Sequence, residues 1–178
     1  ASYLKGSGDR NNRTSAAGFD FDLDQITIGA DKMVNNGWAV GFAATIGSGE
    51  IELLGGNETD VDTLAGSFYA SFTGESGIFY DLSLGYGAND FEGTRSTSFR
   101  PRPTANGETT GNSAFANLDV GYLLNTGGVS FGPFVGLRYL SSDVSAYAES
   151  GAAMLNLDVL DQRASGLIGT IGIEVGGA

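Results

Sequence analysis

Large apolar residues recur at every second position over much of the chain, which is the period of a β-strand with two unlike faces. The stretch 129–149 shows this most fully, because Val135 and Leu137 share one parity while Gly136 and Arg138 share the other. The alternation predicts eight strands, at Ser2–Gly8, Phe19–Ala30, Trp38–Gly47, Thr63–Phe72, Ile78–Ala88, Ser113–Leu124, within 129–149, and at Arg163–Val175. No helical periodicity competes with them.

The second predicted strand carries a change of parity. Phe19, Phe21 and Leu23 lie on one parity, whereas Ile26 and Ile28 lie on the other. An extra residue in a strand produces such a switch, so we expect a β-bulge near positions 24 and 25.

The connections alternate in length. Residues 31–37, 73–77 and 125–128 are short and turn-like, whereas 47–62, 89–112 and 141–162 are long, polar, and expected to include strand extensions. Short turns at one end and long loops at the other are typical of outer-membrane barrels. A soluble β-sandwich has no reason to separate its loop lengths in this way.

Charge placement favours the same architecture. Asp81, Asp119, Arg138 and Glu174 all lie on the small-residue parity of their strands. A β-sandwich with one wet face also alternates, but it does not require a face of large apolar residues without charge. We therefore predict an all-β fold, a transmembrane antiparallel up-and-down β-barrel of outer-membrane type.

Composition removes several other classes of function. The chain has 178 residues with a net charge of −12, and it contains neither Cys nor His. The acidic balance argues against nucleic acid as a partner, and the missing residue types exclude disulfides, thiolate chemistry and His-based triads. No stretch approaches the roughly 20 apolar residues of a membrane helix. The first residues lack the layout of a secretory signal, so we expect a cleaved signal or a longer precursor.

Six segments of the sequence resemble a known family. The most specific one carries Gly132-Pro133, then Arg138-Tyr139, then Tyr147 and Glu149-Ser150-Gly151. The others are GFDFDLDQITIGADKM, GWAVGFAATIGSGEI, DVDTLAGSFYASF, GETTGNSAFANLDVGY and LNLDVLDQRASGLIGTIGIE. Together they resemble the β-barrel translocator domain of autotransporters (type V secretion), particularly barrels attached to esterase-type passengers.

The resemblance implies a barrel of twelve strands in the outer membrane of a Gram-negative bacterium, with a passenger tether threaded through it. It implies a passenger in cis, the barrel-assembly machinery, and outer-membrane lipid and lipopolysaccharide as partners. We expect a monomer without nucleic-acid partner, cofactor or metal. The sequence covers about the first eight strands and lacks the closing aromatic residue. We therefore expect one domain, 1–178, that is incomplete at its C-terminal end.

Two further hypotheses remain. The chain could be a complete eight-stranded barrel, its interior filled by side chains, with a structural or adhesive role through its long external loops. The other is an outer-membrane enzyme using Asp20, Asp22, Asp143 or Glu149, which we weight least because no GxSxG elbow or recognisable base is present. We predict that the domain is not an enzyme.

The predicted barrel interior supplies the candidate site. Arg138 is a cation that we expect to face carboxylates across the lumen, either lining a conduit for a tether or stabilising the wall in an ion network. We prefer the interpretation that Arg138 belongs to an ion network that stabilises the barrel wall. The predicted lumen-lining residues are Arg138, Asp81, Asp119, Asn117, Tyr69 and Glu174.

Aromatic residues near the ends of the apolar faces predict contacts with the membrane interface. Ordinary sheet packing is the alternative. The predicted interface aromatics are Trp38, Phe72, Tyr80, Tyr86, Tyr122 and Tyr139.

Two charged regions are assigned to solvated surface. The loop 90–112 carries Arg95, Arg100 and Arg102, which could contact lipopolysaccharide phosphates or a passenger, but a surface loop is preferred. Alternating acids could hold calcium, yet nothing in their spacing defines a coordination shell. These acids are Asp20, Asp22 and Asp24, and Asp60 and Asp62.

Overall fold

Antiparallel strands form almost all of the chain in the computed structural model, which describes residues 1–12, 18–34, 37–53, 56–97 and 102–177. The only helical element in these residues is a 3-10 turn at Ala153–Leu155. The strands are β1 (Ser2–Arg10), β2 (Phe19–Val34), β3 (Trp38–Leu53), β4 (Asn57–Thr73), β5 (Ile78–Ser96), β6 (Thr104–Tyr122), β7 (Leu124–Thr126), β8 (Val129–Val144), β9 (Tyr147–Ala148), β10 (Asp158–Val159) and β11 (Gln162–Gly177).

One sheet contains all of the long strands, in the order β1-β2-β3-β4-β5-β6-β8-β11, with β7 paired to β8. Consecutive long strands are therefore neighbours, as the up-and-down prediction requires. β1 and β11 are the two edges of the sheet within the described residues. This continuous meander confirms the predicted fold class and excludes a sandwich of two packed sheets. The short β9 and β10 pair separately.

All eight predicted strands are present, but most of them are longer than predicted. Strands β2 to β6 have 16 to 19 residues, about 53–63 Å when extended. Residues predicted as the long connections 47–62 and 89–112 are mainly strand: β3 extends to Leu53 and β4 begins at Asn57, while β5 extends to Ser96 and β6 begins at Thr104. The pattern changes there because acids replace the large apolar residues of the outer face, while the apolar side chains of the extensions, such as Ile51 and Phe91, lie on the inner face. The backbone continues to pair throughout.

The predicted bulge in β2 is wrong. The pairing of β2 with β1 and β3 runs without a break through Asp24 and Gln25. Leu23 therefore lies on the face opposite to Ile26, and the carboxylate of Asp24 shares the face of Ile26. The parity of large residues changes because β2 passes into a different environment, not because it contains an extra residue.

The sheet has two faces of unequal exposure. Side chains on one face are mostly half-buried, which is expected where a curved sheet crowds its concave side, and we call this the inner face. The other, outer face presents large apolar residues to the surroundings, with Phe42 66%, Leu64 63% and Ile171 87% exposed. Among the described residues, the buried apolar side chains are few: Phe79, Ala105 and Ala152.

The two ends of the sheet differ. The connections β2–β3, β4–β5 and β6–β8 lie at one end, which we call the short-turn end. The connections β1–β2, β3–β4, β5–β6 and β8–β11 lie at the other, which we call the long end because the strands extend there beyond their predicted bounds. Gly77, with φ of 89°, closes the β4–β5 turn in the left-handed conformation that favours glycine. No helix in the described part of the chain has the length and apolarity to cross a membrane.

The outer face carries an uncharged stretch of similar length on six strands. A transmembrane β-strand needs about 9–11 residues. These outer-face stretches run over residues 38–46, 64–72, 78–88, 114–122, 129–139 and 165–175. They lie side by side and form one apolar band, which ends at polar residues toward the long end.

Candidate functional site

Four polar residues of the inner face form a lateral row across the sheet. The register pairs Tyr69 of β4 with Ser83 of β5, Ser83 with Asn117 of β6, and Asn117 with Arg138 of β8. The Asn117 amide donates to Ser83 Oγ over 2.9 Å, and Arg138 Nε donates to Asn117 Oδ1 over 2.9 Å. Two of the predicted lumen residues, Asn117 and Arg138, are therefore connected by hydrogen bonds, and Tyr69 lies at the end of the row by register.

The predicted lumen carboxylates lie closer to the short-turn end. Asp81 of β5 is directly opposite Asp119 of β6, and Asp119 is opposite Gly136 of β8. Glu174 of β11 lies further along, opposite Gly132. These carboxylates concentrate negative charge on this part of the inner face. Asp81 and Asp119 also repel each other, because like charges lie directly opposite on neighbouring strands.

Arg138 does not form an ion pair within the described residues; its hydrogen-bond partner is the Asn117 side chain. Asp119 is opposite Gly136, which lies two residues from Arg138 along β8. The cation is therefore near the carboxylate on the same face without being paired to it. Ion pairs do form elsewhere: Lys5 with Asp24 over 3.7 Å, Arg95 with Glu149 over 2.5 Å, and Arg163 with Asp143.

Aromatic rings of the inner face lie over glycines of the neighbouring strands. A Cβ atom placed on Gly41 would lie 2.3 Å from Tyr69 Cζ, and one on Gly85 would lie 2.2 Å from Phe115 Cε1. Phe134 covers Gly172 in the same way, at 2.5 Å. These contacts give the abundant glycines a packing role, because only a residue without a side chain accommodates the flat ring.

The outer face holds all six predicted interface aromatics. Trp38, Phe72 and Tyr80 form a row near the short-turn end, with ring centroids 4.9 Å and 5.9 Å apart. Tyr122 lies beside this row, opposite Ile78. Tyr86 and Tyr139 lie nearer the long end, where the apolar band gives way to polar residues.

Carboxylates cover the outer face of the strand extensions at the long end. Glu50 lies opposite Asp22 on β2 and Asp60 on β4. Burial, and then the charges of Glu58 and Asp60, raise the pKa of Glu50. In the part of the chain that the structure describes, no group of acidic side chains has the geometry to hold a metal ion. Asp20, Asp22, Asp60 and Asp62 are exposed on this face.

The long end also contains a connected site that the sequence did not predict. Arg95 of β5 donates through Nε to Glu149 Oε1 over 2.8 Å and through Nη2 to Glu149 Oε2 over 2.5 Å. The Arg95 guanidinium holds the pKa of Glu149 below its usual range. Fifty-four residues separate the two partners, so periodicity could not reveal the contact.

The carboxylates considered for an enzyme do not meet in one place. Asp143 pairs with Arg163 on the outer face, and Glu149 pairs with Arg95 on the inner face. Asp20 and Asp22 lie on β2, several strands away. Of the three loop arginines, Arg95 is part of β5, Arg102 is exposed, and Arg100 lies outside the described residues.

Known proteins share this architecture. The translocator domain of autotransporter NalP from Neisseria meningitidis matches with a TM-score of 0.82 and 17% identity, over 97% of this chain and 59% of that chain. The β domain of the Bordetella autotransporter BrkA matches with a TM-score of 0.64 and 19% identity, over 98% of this chain and 67% of that one. The chain thus spans 59% of the length of the NalP domain. No curated protein sequence matches it.

The family described as the autotransporter beta-domain matches residues 1–178, the whole of the chain. This match confirms the predicted family, while the finer likeness to barrels with esterase-type passengers stays a prediction. The chain belongs to the autotransporter β-domain family.

Proposed function

We propose that this chain contributes to an outer-membrane translocator barrel, which anchors and exports a passenger attached on its N-terminal side. The observation that carries the proposal is the contrast between the two faces. The outer face bears an uncharged apolar band of transmembrane length, while the inner face bears the polar row and the carboxylates.

The proposal assigns a role to the inner face. Tyr69, Asn117 and Arg138, with Asp81, Asp119 and Glu174, line a hydrophilic path for an extended or helical tether. Arg138 is tied to Asn117 and not to a carboxylate. This leaves part of the guanidinium available to a polypeptide in the path, and it supports the conduit interpretation over a purely stabilising one.

The proposed partners follow from the surfaces. Outer-membrane lipid covers the apolar band, and the aromatic residues lie at its borders. Lipopolysaccharide surrounds the strand extensions, the barrel-assembly machinery inserts the protein, and the passenger is linked in cis. Residues 1–178 act as a single domain of a monomeric Gram-negative outer-membrane protein that performs no bond chemistry itself.

Further strands complete the barrel in this proposal. The edges β1 and β11 are not paired with each other, and unpaired backbone groups are not tolerated in lipid. The length of the NalP domain beyond the matched region is consistent with additional strands. The alternative of a closed eight-stranded adhesive barrel would need β1 to pair with β11.

Cell fractionation and surface display test the proposal together. The complete protein should remain in the outer-membrane fraction after a high-salt wash and should dissolve only in detergent. A passenger-linked epitope should be detected on intact cells. Release of the protein without detergent, or an epitope detectable only after lysis, would refute the proposed role.

Conductance in planar bilayers separates the translocator from the eight-stranded alternative. A barrel with a hydrophilic path should give ion channels once the tether is removed by proteolysis. A lumen filled by side chains should give none. Absence of channels in a folded, heat-modifiable preparation would favour the adhesive barrel.

A further inference from the structure

The chain that follows β8 continues the wall of the sheet at the long end. β8 pairs with β6 from Gly111 to Gly121, which leaves the edge of β6 from Thr104 to Thr110 free of β8. The next residues use that edge: Ser145 N–H donates to Thr110 O over 2.8 Å, and Asn106 and Ser150 exchange two bonds of 2.8 Å each. This alignment directs Tyr147 and Glu149 toward the inner face.

The following residues, 151–157, then fold inward, and we call them the inner shelf. Gly151, with φ of 93°, makes the turn, and Ala153–Leu155 form the 3-10 turn. Ala152 is only 3% exposed, whereas its near neighbour Met154 is 99% exposed. The shelf therefore has a buried side, which includes Ala152, and an open side, which includes Met154.

One ion pair holds the shelf to the wall. Besides its two bonds to Glu149, Arg95 donates to the carbonyl of Leu155 in the shelf over 2.9 Å. Glu149 accepts from Leu157 N–H over 2.8 Å, and its own N–H donates to Leu157 O over 2.9 Å. The Glu149 side chain is 7% exposed and that of Arg95 29%. The pair thus links β5, the residue that follows β9, and the C-terminal part of the shelf at Leu155 and Leu157.

We propose that the Arg95–Glu149 ion pair is a latch that holds the inner shelf across part of the external opening of the barrel. With the latch closed, the shelf narrows the exit on the β5–β6 side; with the latch broken, the shelf moves away and the exit widens. The inference rests on the proposed function, which places the long end outside the cell. Removing one partner of this part-buried, two-bond pair leaves the other charge uncompensated, so single substitutions should open the latch.

Cysteine labelling on intact cells tests the latch directly, since the chain has no cysteine of its own. In the complete protein, Ala152→Cys should resist a membrane-impermeant maleimide. Adding Arg95→Ala or Glu149→Ala should accelerate its labelling by about tenfold or more. The exposed Arg102 supplies the matched control, because Arg102→Ala should leave Ala152→Cys protected. Protection that persists in both latch variants would overturn the proposal.

Met154→Cys separates failure of the latch from failure of the proposed function. It should be labelled on intact cells whether the latch is closed or open, because its side chain is exposed in the closed form. Labelling of Met154→Cys only after lysis would contradict the placement of the long end outside the cell. Its labelling on intact cells, with Ala152→Cys still protected in the latch variants, would contradict the latch alone.

Pore size provides the functional measurement and distinguishes a latch from a merely stabilising contact. With the tether removed, Arg95→Ala should raise single-channel conductance and admit larger neutral polymers than the unaltered barrel. The charge-swapped double variant Arg95→Glu with Glu149→Arg should restore both properties. If Arg95→Ala does not fold, Glu149→Gln, which retains an acceptor oxygen, replaces it. Unchanged polymer exclusion in a folded latch variant would refute the role in setting the exit width.

Discussion

Gly136 and Leu137 are neighbours in sequence, yet they lie on opposite faces of β8 and meet different surroundings. Gly136 faces inward, where a new side chain would lie beside the Asp119 carboxylate, with Oδ1 2.2 Å from the added Cβ. That oxygen is at the end of a side chain that can rotate away. Leu137 is 51% exposed on the outer face, within the apolar band.

Arginine should therefore be tolerated at position 136 but not at position 137. Gly136→Arg places a cation next to Asp119, whereas Leu137→Arg places it in lipid at a cost of roughly 2–4 kcal/mol. The measurement is the fraction of folded, heat-modifiable barrel on electrophoresis. Equal loss in the two variants would contradict the assignment of the faces.

Glycines offer a second pair of substitutions at the residue scale. Gly85 lies under the Phe115 ring on the inner face, whereas Gly66 on the outer face has nothing within 4 Å of an added Cβ. Gly85→Val should destabilise the barrel by roughly 1–3 kcal/mol through overpacking, while Gly66→Val should have little effect. The temperature at which heat-modifiability is lost gives the comparison. A larger loss for Gly66→Val would show that the ring contact is unimportant.

At the scale of the element, the strands were predictable where they cross the apolar band and less so beyond it. The alternation around Phe42, Phe68 and Leu84 has a physical cause, since lipid and the inner face demand different side chains on alternate residues. Past Ser48 and Asp62, the outer face carries acids and the apolar residues, such as Ile51, lie on the inner face, so the parity of large residues changes although the ladder continues. The bulge predicted in β2 was wrong for the same reason.

The latch between β5 and the residue that follows β9 is an element-scale contact with a predictable pH dependence. Glu149 faces Arg95 from β5 and the Leu157 N–H, and these interactions lower its pKa. A carboxyl with a lowered pKa stabilises the folded form above its ordinary value, and that stabilisation is lost as pH falls through the depressed pKa. The latch should thus stay closed through the ordinary glutamate range and open only in stronger acid.

An NMR titration of the Glu149 carboxyl carbon in detergent micelles measures this effect. The midpoint should lie below the ordinary value of about 4.3. In Arg95→Ala the midpoint should rise, because the cation that favours the charged form is gone while burial remains. A midpoint that does not respond to Arg95→Ala would contradict the ion pair.

At the scale of the whole molecule, the two ends of the sheet should face different compartments. Epitopes inserted between Gly127 and Gly128, at the short-turn end, should be detected only after cells are opened. Epitopes inserted after Leu160, which is 77% exposed at the long end, should be detected on intact cells. Antibody binding before and after permeabilisation provides the measurement, and detection of the first epitope on intact cells would reverse the proposed orientation.

The sequence by itself determined the fold class and the two faces of this protein, because each strand that crosses lipid must alternate its side chains independently of every other strand. Such information is local, so residues as far apart as Trp38 and Glu174 could each be assigned to a face. The tertiary structure alone decided which side chains meet. The bond of Arg138 to Asn117, the rings over Gly41 and Gly85, and the pairing of Arg95 with Glu149 depend on register and on a chain that folds back. The alternating pattern therefore could not predict the hydrogen-bonded group around Arg95 and Glu149 at the long end.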